Sequence, residues 1–96
     1  MPNKITYEER KVIYEMAITK YSQMNQIIKA VEEMSELTKE LCKLLVNDSK
    51  YSIEGIAEEI ADVTIMMEQL RLIFDINDEV CDMMDSKVKR LENRIR

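Results

Sequence analysis

Apolar residues recur at helical spacing along most of the chain, in four stretches that short polar breaks separate. The first stretch follows a capping-box sequence that starts at Thr6, and it predicts a helix from about Tyr7 to Tyr21. The second predicts a helix from about Gln23 to Val46, with Ser22 as its N-cap. Each stretch has one apolar face, which is typical of helices that pack side by side.

Two further helices are predicted beyond a loop at residues 47–50. The third starts after an N-cap at Ser52 and is apolar over a wide arc as far as Phe74. Asp75 or Asn77 is expected to cap the fourth. Its apolar stripe consists of Val80, Met84, Val88, Leu91 and Ile95. Short connections favour an antiparallel four-helix bundle in one all-α domain over residues 1–96. The wide apolar arcs predict that a second copy of the chain completes it in a homo-oligomer.

Composition agrees with a helical domain and excludes several classes of protein. The chain is 46% hydrophobic with one Gly, one Pro and no Trp, which favours long helices over a sheet or disorder. A net charge of −5 disfavours a broad nucleic-acid surface. There is no apolar run of about 18 residues that would predict a membrane span, and no secretory signal. We therefore expect a cytoplasmic protein in which Cys42 and Cys81 are reduced thiols. The alternative is a disulfide bridge between them.

Histidine is absent from the sequence. This excludes Ser-His and Cys-His catalysis, and it excludes the Glu-x-x-His ligands of di-iron bundles.

Two pairs of acidic residues lie three positions apart, one on the second predicted helix and one on the third. The first pair is Glu33 and Glu36, and the second is Glu59 and Asp62. Because three residues are nearly one helical turn, the members of each pair share a side of their helix. Four carboxylates meet if the two helices pack together.

The direction of Glu59 distinguishes it from ordinary surface acids. At ~100° per residue, it falls between Val63 and Met66, inside the apolar arc of its helix, and Asp62 falls at the edge of that arc. A carboxylate that faces a core is costly unless it is compensated, and clustering adds repulsion. A divalent cation resolves both problems, and ligands that are all oxygen suit Mg²⁺ or Mn²⁺.

The alternative is that these residues are ordinary solvated acids in a chain that contains nineteen. Other acids are more simply interpreted as solvated or capping residues, namely Glu8, Glu15, Glu54, Glu68 and Glu92.

The fourth predicted helix carries a basic stripe beside its apolar face. Lys87, Arg90 and Arg94 are spaced i, i+3 and i+7 and so share one side. Cations at the rim of a magnesium cluster are suited to a polyphosphate, because the metal binds bridging oxygens and the side chains balance the remaining charge. The alternative is a solvated basic end that favours the helix dipole.

The acidic motifs resemble those of the MazG-like nucleoside triphosphate pyrophosphohydrolases, which belong to the all-α NTP pyrophosphatase superfamily. The matching residues are Glu32-Glu33-Met34-Ser35-Glu36 and Glu59-Ile60-Ala61-Asp62. The resemblance extends over about residues 22–95 and includes a Gln shortly before the first motif and a basic C-terminal helix.

The resemblance implies hydrolysis of an NTP or dNTP to the monophosphate and pyrophosphate, with a role in cleansing nucleotide pools. It also implies that the homo-oligomer is a dimer or a tetramer. It implies a metal site made of Glu33, Glu36, Glu59 and Asp62. Glu36 would also orient or deprotonate the attacking water. Glu32 would contribute less, by contacting the ligands rather than the metal. The other implied contacts are phosphate binding by Lys87, Arg90 and Arg94 and a base or ribose contact by Gln26.

Two other functions remain open at this point. The chain could be a non-catalytic helical interaction or regulatory protein whose acids are structural or vestigial. It could also be a subunit that binds a nucleotide without hydrolysing it. Pyrophosphate release from a panel of nucleotides separates the three hypotheses.

Overall fold

The computed structural model describes residues 4–47 and 49–96, and within these ranges the chain forms four α-helices and no strands. The all-α prediction is therefore confirmed. Residues 1–3, from the predicted N-terminal lead-in, and Asp48, from the predicted loop, lie outside the described residues. Among the described helices, none is long and apolar enough to cross a membrane.

The first two helices begin where their polar caps predict. Helix α1 spans Tyr7–Tyr21, and Thr6 and Glu9 form the reciprocal hydrogen bonds of a capping box. Helix α2 spans Gln23–Leu45, one residue shorter than expected. Its N-cap Ser22 accepts a hydrogen bond from the backbone N–H of Asn25 and has φ 84°, which turns the chain sharply between the helices.

Helices α3 and α4 differ in how they start. Helix α3 spans Ile53–Ile73, and its N-cap Ser52 accepts a hydrogen bond from the N–H of Gly55, as predicted. Helix α4 spans Asn77–Ile95, but its N-cap is Ile76, which has no side-chain capping bond. The predicted cap at Asp75 or Asn77 is therefore wrong. Asp75 adopts φ 53° in the turn, and the side-chain oxygen of Asn77 accepts a hydrogen bond from Arg71.

Helices α2 and α3 form the central antiparallel pair, and α1 packs against both of them. Polar contacts recur along this pair at intervals of seven residues, or about two turns. Gln26 meets Gln69 at one end, and Glu40 meets Gly55 at the other. Between the ends lie the buried side chains of Ala30 and Met66. Midway along this pair lie Glu33 on α2 and Asp62 on α3.

Helix α4 contacts α3 and, within the described chain, neither α1 nor α2. It has no buried residue. A single chain therefore consists of three packed helices and one that is largely exposed. Completion of the bundle by a second copy stays a prediction.

Gly55 allows a carboxylate of α2 to reach the start of α3. The side-chain oxygen of Glu40 accepts a hydrogen bond of 3.4 Å from the N–H of Ser52, where the helix dipole favours negative charge. A Cβ at position 55 would lie 2.8 Å from Oε1 of Glu40 and 2.8 Å from Oγ of Ser52. This contact between α2 and α3 therefore requires a glycine at position 55.

We expect Gly55→Ala to fail to stabilise the protein, although replacing a helical Gly with Ala usually gains up to about 1 kcal/mol. The new methyl group displaces Glu40 and the Ser52 cap. Thermal unfolding of Gly55→Ala, Glu40→Ala and the double variant measures the coupling between the two sites. In the Glu40→Ala background the same substitution should be more favourable. Equal effects in both backgrounds would contradict this interpretation.

Candidate metal centre

Glu33 of α2 and Glu59 and Asp62 of α3 bring their carboxylates together in the α2–α3 groove. One oxygen from each residue lies within 4.8 Å of the others, and all three side chains are half-buried. The predicted juxtaposition of the two acidic motifs is therefore present for three of its four principal residues. This juxtaposition follows from the antiparallel pairing of α2 and α3, which sets Glu33 opposite the helical turn that carries Glu59 and Asp62.

Glu59 is the least compensated member of this triad. Its Oε2 atom is buried and has no hydrogen-bond partner among the described residues. Burial raises the pKa of Glu59, and the charges of Asp62, Glu33, Glu36 and Glu58 raise it further. The carboxylate is thus held where its ionised form is unfavourable unless a cation or proton neutralises it.

The triad suits a small divalent cation in ligand type and in spacing. Two oxygens that each lie about 2.1 Å from one Mg²⁺ are about 3.0–4.2 Å apart. The three oxygens of the triad lie within 4.8 Å of one another, an upper limit that is slightly larger. Small side-chain rotations would bring the three oxygens to that separation. Three carboxylates leave the remaining positions of an octahedral site to water or to substrate, as is usual for Mg²⁺.

Lys29 connects the triad to a cleft on its side nearer the start of α2. Its ammonium group lies 3.4 Å from Oε1 of Glu33. Lys29 also lines a cleft of about 430 Å³. The other lining residues are Tyr21, Gln26, Met66 and Gln69. Gln69 is seven residues from Asp62, so the cleft lies about 10 Å along α3 from the triad.

Gln26, the predicted base or ribose contact, has a structural partner in this cleft. It is buried, and its side-chain Nε2 donates to Oε1 of Gln69 at 2.7 Å. Gln69 in turn contacts the sulfur of Met66 at 3.8 Å. The amide pair therefore joins α2 to α3, and it lies at the wall of the cleft rather than free within it.

Glu36 and Glu32 lie outside the triad. Glu36 is exposed, and its Oε1 lies 3.3 Å from the ammonium group of Lys39. It is still close enough for its charge to raise the pKa of Glu59. Glu32 is exposed on the outer side of α2. The fourth predicted ligand is therefore beside the triad rather than in it.

The basic stripe does not reach the triad within one chain. Lys87, Arg90 and Arg94 are all exposed on α4, which does not contact the α2 helix that carries Glu33. Among the described residues beyond Ser86, the ion pairs join Lys89 and Arg96 to Glu92. These pairs therefore connect α4 to itself and not to another helix. The stripe exists as a helical surface, but a single chain does not assemble it with the acids.

A second cluster of charged residues escaped the sequence interpretation. Glu68, expected to be solvated, is partly buried between α1 and α3 and accepts two hydrogen bonds from Arg10, at 3.0 and 3.1 Å, and one from the Tyr14 hydroxyl. The hydrogen bond from Arg10 lowers the pKa of Glu68. Burial, followed by the Glu68 hydrogen bond, raises the pKa of Tyr14 to about 12. An acid, a base and a phenol at helical spacing are too common to signal such a contact in sequence.

Comparison with known proteins found no family model, no curated protein and no solved structure that matches the chain. The interpretation of the site therefore rests on its residues and their geometry.

Proposed function

We propose that the chain is a Mg²⁺-dependent nucleotide pyrophosphohydrolase that converts an NTP or dNTP to the monophosphate and pyrophosphate. The observation that carries the proposal is the buried, unpartnered oxygen of Glu59 beside Glu33 and Asp62. A structural role for these acids would normally give each buried oxygen a donor. A divalent cation bound by the triad would supply the positive charge that this oxygen lacks.

In this proposal Glu33, Glu59 and Asp62 bind Mg²⁺, or Mn²⁺ in its place. A divalent cation bound there would acidify a water molecule and neutralise charge on the leaving pyrophosphate. Lys29 pairs with Glu33 at 3.4 Å and so offsets part of the negative charge of the triad. No covalent nucleophile is required, which agrees with a chain that has no histidine.

Glu36 takes the role of orienting or deprotonating the attacking water. It lies one turn beyond Glu33, is exposed to solvent, and contributes to the field at Glu59. These properties suit a carboxylate that contacts water more than one that binds metal permanently. Glu32, which is exposed and forms no hydrogen bond or ion pair with the described residues of the triad, would contribute only through its charge.

The neighbouring cleft is the proposed site for the sugar and base. Tyr21 offers an exposed ring at its edge, and the Gln26–Gln69 pair offers amide donors and acceptors. A nucleotide that spans from this cleft to the triad places its phosphates at the acids. The outer phosphate oxygens are bound by Lys87, Arg90 and Arg94. These side chains reach the phosphates either when α4 moves or from a second chain in a homo-oligomer.

Pyrophosphate release from a panel of NTPs and dNTPs tests the proposal. We expect release from at least one nucleotide with Mg²⁺, and none when the metal is chelated. Equilibrium binding of the same nucleotides, measured in parallel, distinguishes hydrolysis from binding alone. If the protein binds Mg²⁺ but releases pyrophosphate from none of the nucleotides, the proposed enzymatic activity is wrong.

The alternative is a non-catalytic interaction protein with a structural acidic site. The exposed apolar residues of α4 favour it, because such surfaces usually bind other proteins. It predicts no release of pyrophosphate from any nucleotide. A nucleotide-binding subunit without activity predicts binding that depends on Mg²⁺ but no release.

A further inference from the structure

Lys29 is the charged side chain at the boundary between the acidic triad and the neighbouring cleft. Its ammonium group lies 3.4 Å from Oε1 of Glu33, and its side chain also forms part of the cleft wall. The other described side chains that line this cleft are uncharged. Among the described residues, Lys29 is therefore the cation that the triad and the cleft share.

The ion pair between Lys29 and Glu33 is easily displaced. Lys29 precedes Glu33 by four residues, and this order stabilises a helix less than the reverse order. The pair between Glu36 and Lys39 has the more favourable order, with the acid first. The side chain of Lys29 is 54% exposed, so water can solvate its ammonium group when the pair opens. Helix stability alone therefore gives Lys29 little reason to remain at Glu33.

Glu33 cannot bind Lys29 and a divalent cation equally well. Its side chain is only 15% exposed, so its carboxylate has little room for a second cation on the solvent side. The three oxygens of the triad lie within 4.8 Å of one another, so any cation that they bind together would be close to the ammonium group. The two positive charges would repel each other. The ammonium group therefore lowers the affinity of the triad for metal, and bound metal weakens the ion pair.

We propose that Lys29 is the internal counter-cation of the metal-free triad and competes with the divalent cation for Glu33. Without metal, the ammonium group neutralises part of the charge of three clustered acids. When a divalent cation binds, Lys29 leaves Glu33 and its ammonium group turns into the cleft. This inference rests on the proposed function, because it requires that the triad binds a divalent cation.

The competition makes the metal affinity of the triad depend on what occupies the cleft. When the cleft is empty, Lys29 stays at Glu33 and a metal ion must displace it. An anionic group in the cleft, such as the phosphate of a nucleoside monophosphate, attracts the ammonium group away from Glu33 and so raises the affinity for metal. By linkage, metal raises the affinity for the anion by the same factor. The site is then filled by metal and anion together rather than by free metal.

Titration of the intact protein with Mn²⁺ alone, with free Mn²⁺ measured by electron paramagnetic resonance, tests the competition. We expect Lys29→Gln to bind Mn²⁺ roughly three- to tenfold more tightly than the wild type, because it removes a repulsion that salt screens only in part. Lys29→Arg keeps the charge and should bind Mn²⁺ as the wild type does. Equal affinities of the wild type and Lys29→Gln would overturn the proposal.

Lys39→Gln is the matched control for Lys29→Gln. Lys39 pairs with Glu36 at 3.3 Å on the same helix, so the substitution removes the same charge from an equally short ion pair. Glu36 lies outside the triad, and the side chains of this pair are 70% and 51% exposed. Solvent screening should therefore limit the change in Mn²⁺ affinity to less than about twofold. If both substitutions raised the affinity equally, net charge rather than competition for Glu33 would explain the effect, and the proposal would be wrong.

The same titration in the presence of nucleoside monophosphates tests the coupling to the cleft. We expect at least one monophosphate to raise the Mn²⁺ affinity of the wild type. The increase should be smaller for Lys29→Gln, in which no ammonium group has to leave Glu33. An equal increase in both proteins, or no increase in the wild type with any monophosphate, would contradict the coupling.

These measurements separate the competition from the proposed enzymatic activity. Tighter Mn²⁺ binding by Lys29→Gln, without release of pyrophosphate from any nucleotide by the wild type, would support the competition and contradict the enzyme. An unchanged Mn²⁺ affinity together with release of pyrophosphate would do the reverse. If neither the wild type nor any of the variants bound Mn²⁺, the metal centre and the role of Lys29 would both be wrong.

Discussion

Replacing Glu59 with Gln is expected to slow the proposed pyrophosphate release strongly while raising the melting temperature of the metal-free protein. The buried Oε2 has no partner, and burial and neighbouring acids disfavour its charge. An amide of the same shape removes that repulsion. It also removes one of the three proposed metal ligands. If a metal bound there stabilises the transition state by several kcal/mol, the loss of rate should be roughly 100-fold or larger.

The same substitution should change how stability depends on pH. The folded-state pKa of Glu59 is raised above its usual 4.5, so the folded protein binds this proton more tightly than the unfolded chain does. Stability of the wild type without metal therefore falls as the pH rises from 4.5 through the folded pKa. Glu59→Gln should lack this fall. Saturating Mg²⁺ should also diminish it in the wild type, because a bound cation neutralises the cluster.

Glu58→Gln is the matched control for Glu59→Gln. It makes the same change of charge at the adjacent residue, whose side chain is exposed. We expect nearly normal activity and a normal rise in melting temperature with Mg²⁺. The metal site would be wrong if Glu59→Gln kept that rise in full, and the enzymatic role would be wrong if it kept full activity.

The helices and the inward direction of Glu59 could be predicted because both depend on local spacing. Caps at Thr6, Ser22 and Ser52 define the starts of three helices, since a side chain a few residues away satisfies each exposed N–H group. The position of Glu59 relative to Val63 and Met66 fixes its direction on any regular helix. Antiparallel packing of α2 on α3 is then sufficient to bring Glu33 close to Asp62.

The remaining features depend on the angle between helices, which local spacing does not determine. Helix α4 starts without a side-chain cap. Its direction relative to α3 follows from the turn at Asp75, which has positive φ. The basic stripe therefore lies away from the triad although its spacing is as expected. Glu36 lies outside the triad because it is further around α2 than Glu33, and small differences in helix rotation decide which acid faces the groove.

Replacing Glu68 with Ala is expected to destabilise the fold without removing the triad. Glu68 binds both Arg10 and Tyr14 and so joins α1 to α3. Its loss leaves the hydroxyl of Tyr14, a residue only 5% exposed, without its acceptor. An unsatisfied buried hydroxyl costs about 1–3 kcal/mol. In a domain of this length that lowers the melting temperature by roughly 5–20 °C.

The pH profile identifies this contribution as electrostatic. The lowered pKa of Glu68 means that its stabilisation is present above the unfolded value of 4.5 and is lost as the pH falls through the folded pKa. The raised pKa of Tyr14 means that its contribution is present below 10.0 and is lost as the pH rises through about 12. The difference in melting temperature between wild type and Glu68→Ala should therefore be largest between these limits.

Glu92→Ala is the matched control, because Glu92 also pairs with two cations, Lys89 and Arg96, but within one exposed helix. Exposed pairs of this kind contribute little. We expect a small change in melting temperature and no dependence on the protonation of Tyr14. If the two variants lost equal stability, helix propensity rather than the contact between α1 and α3 would account for both. A large loss confined to Glu68→Ala would show that the contact of Glu68 with Arg10 and Tyr14 stabilises the packing of α1 on α3.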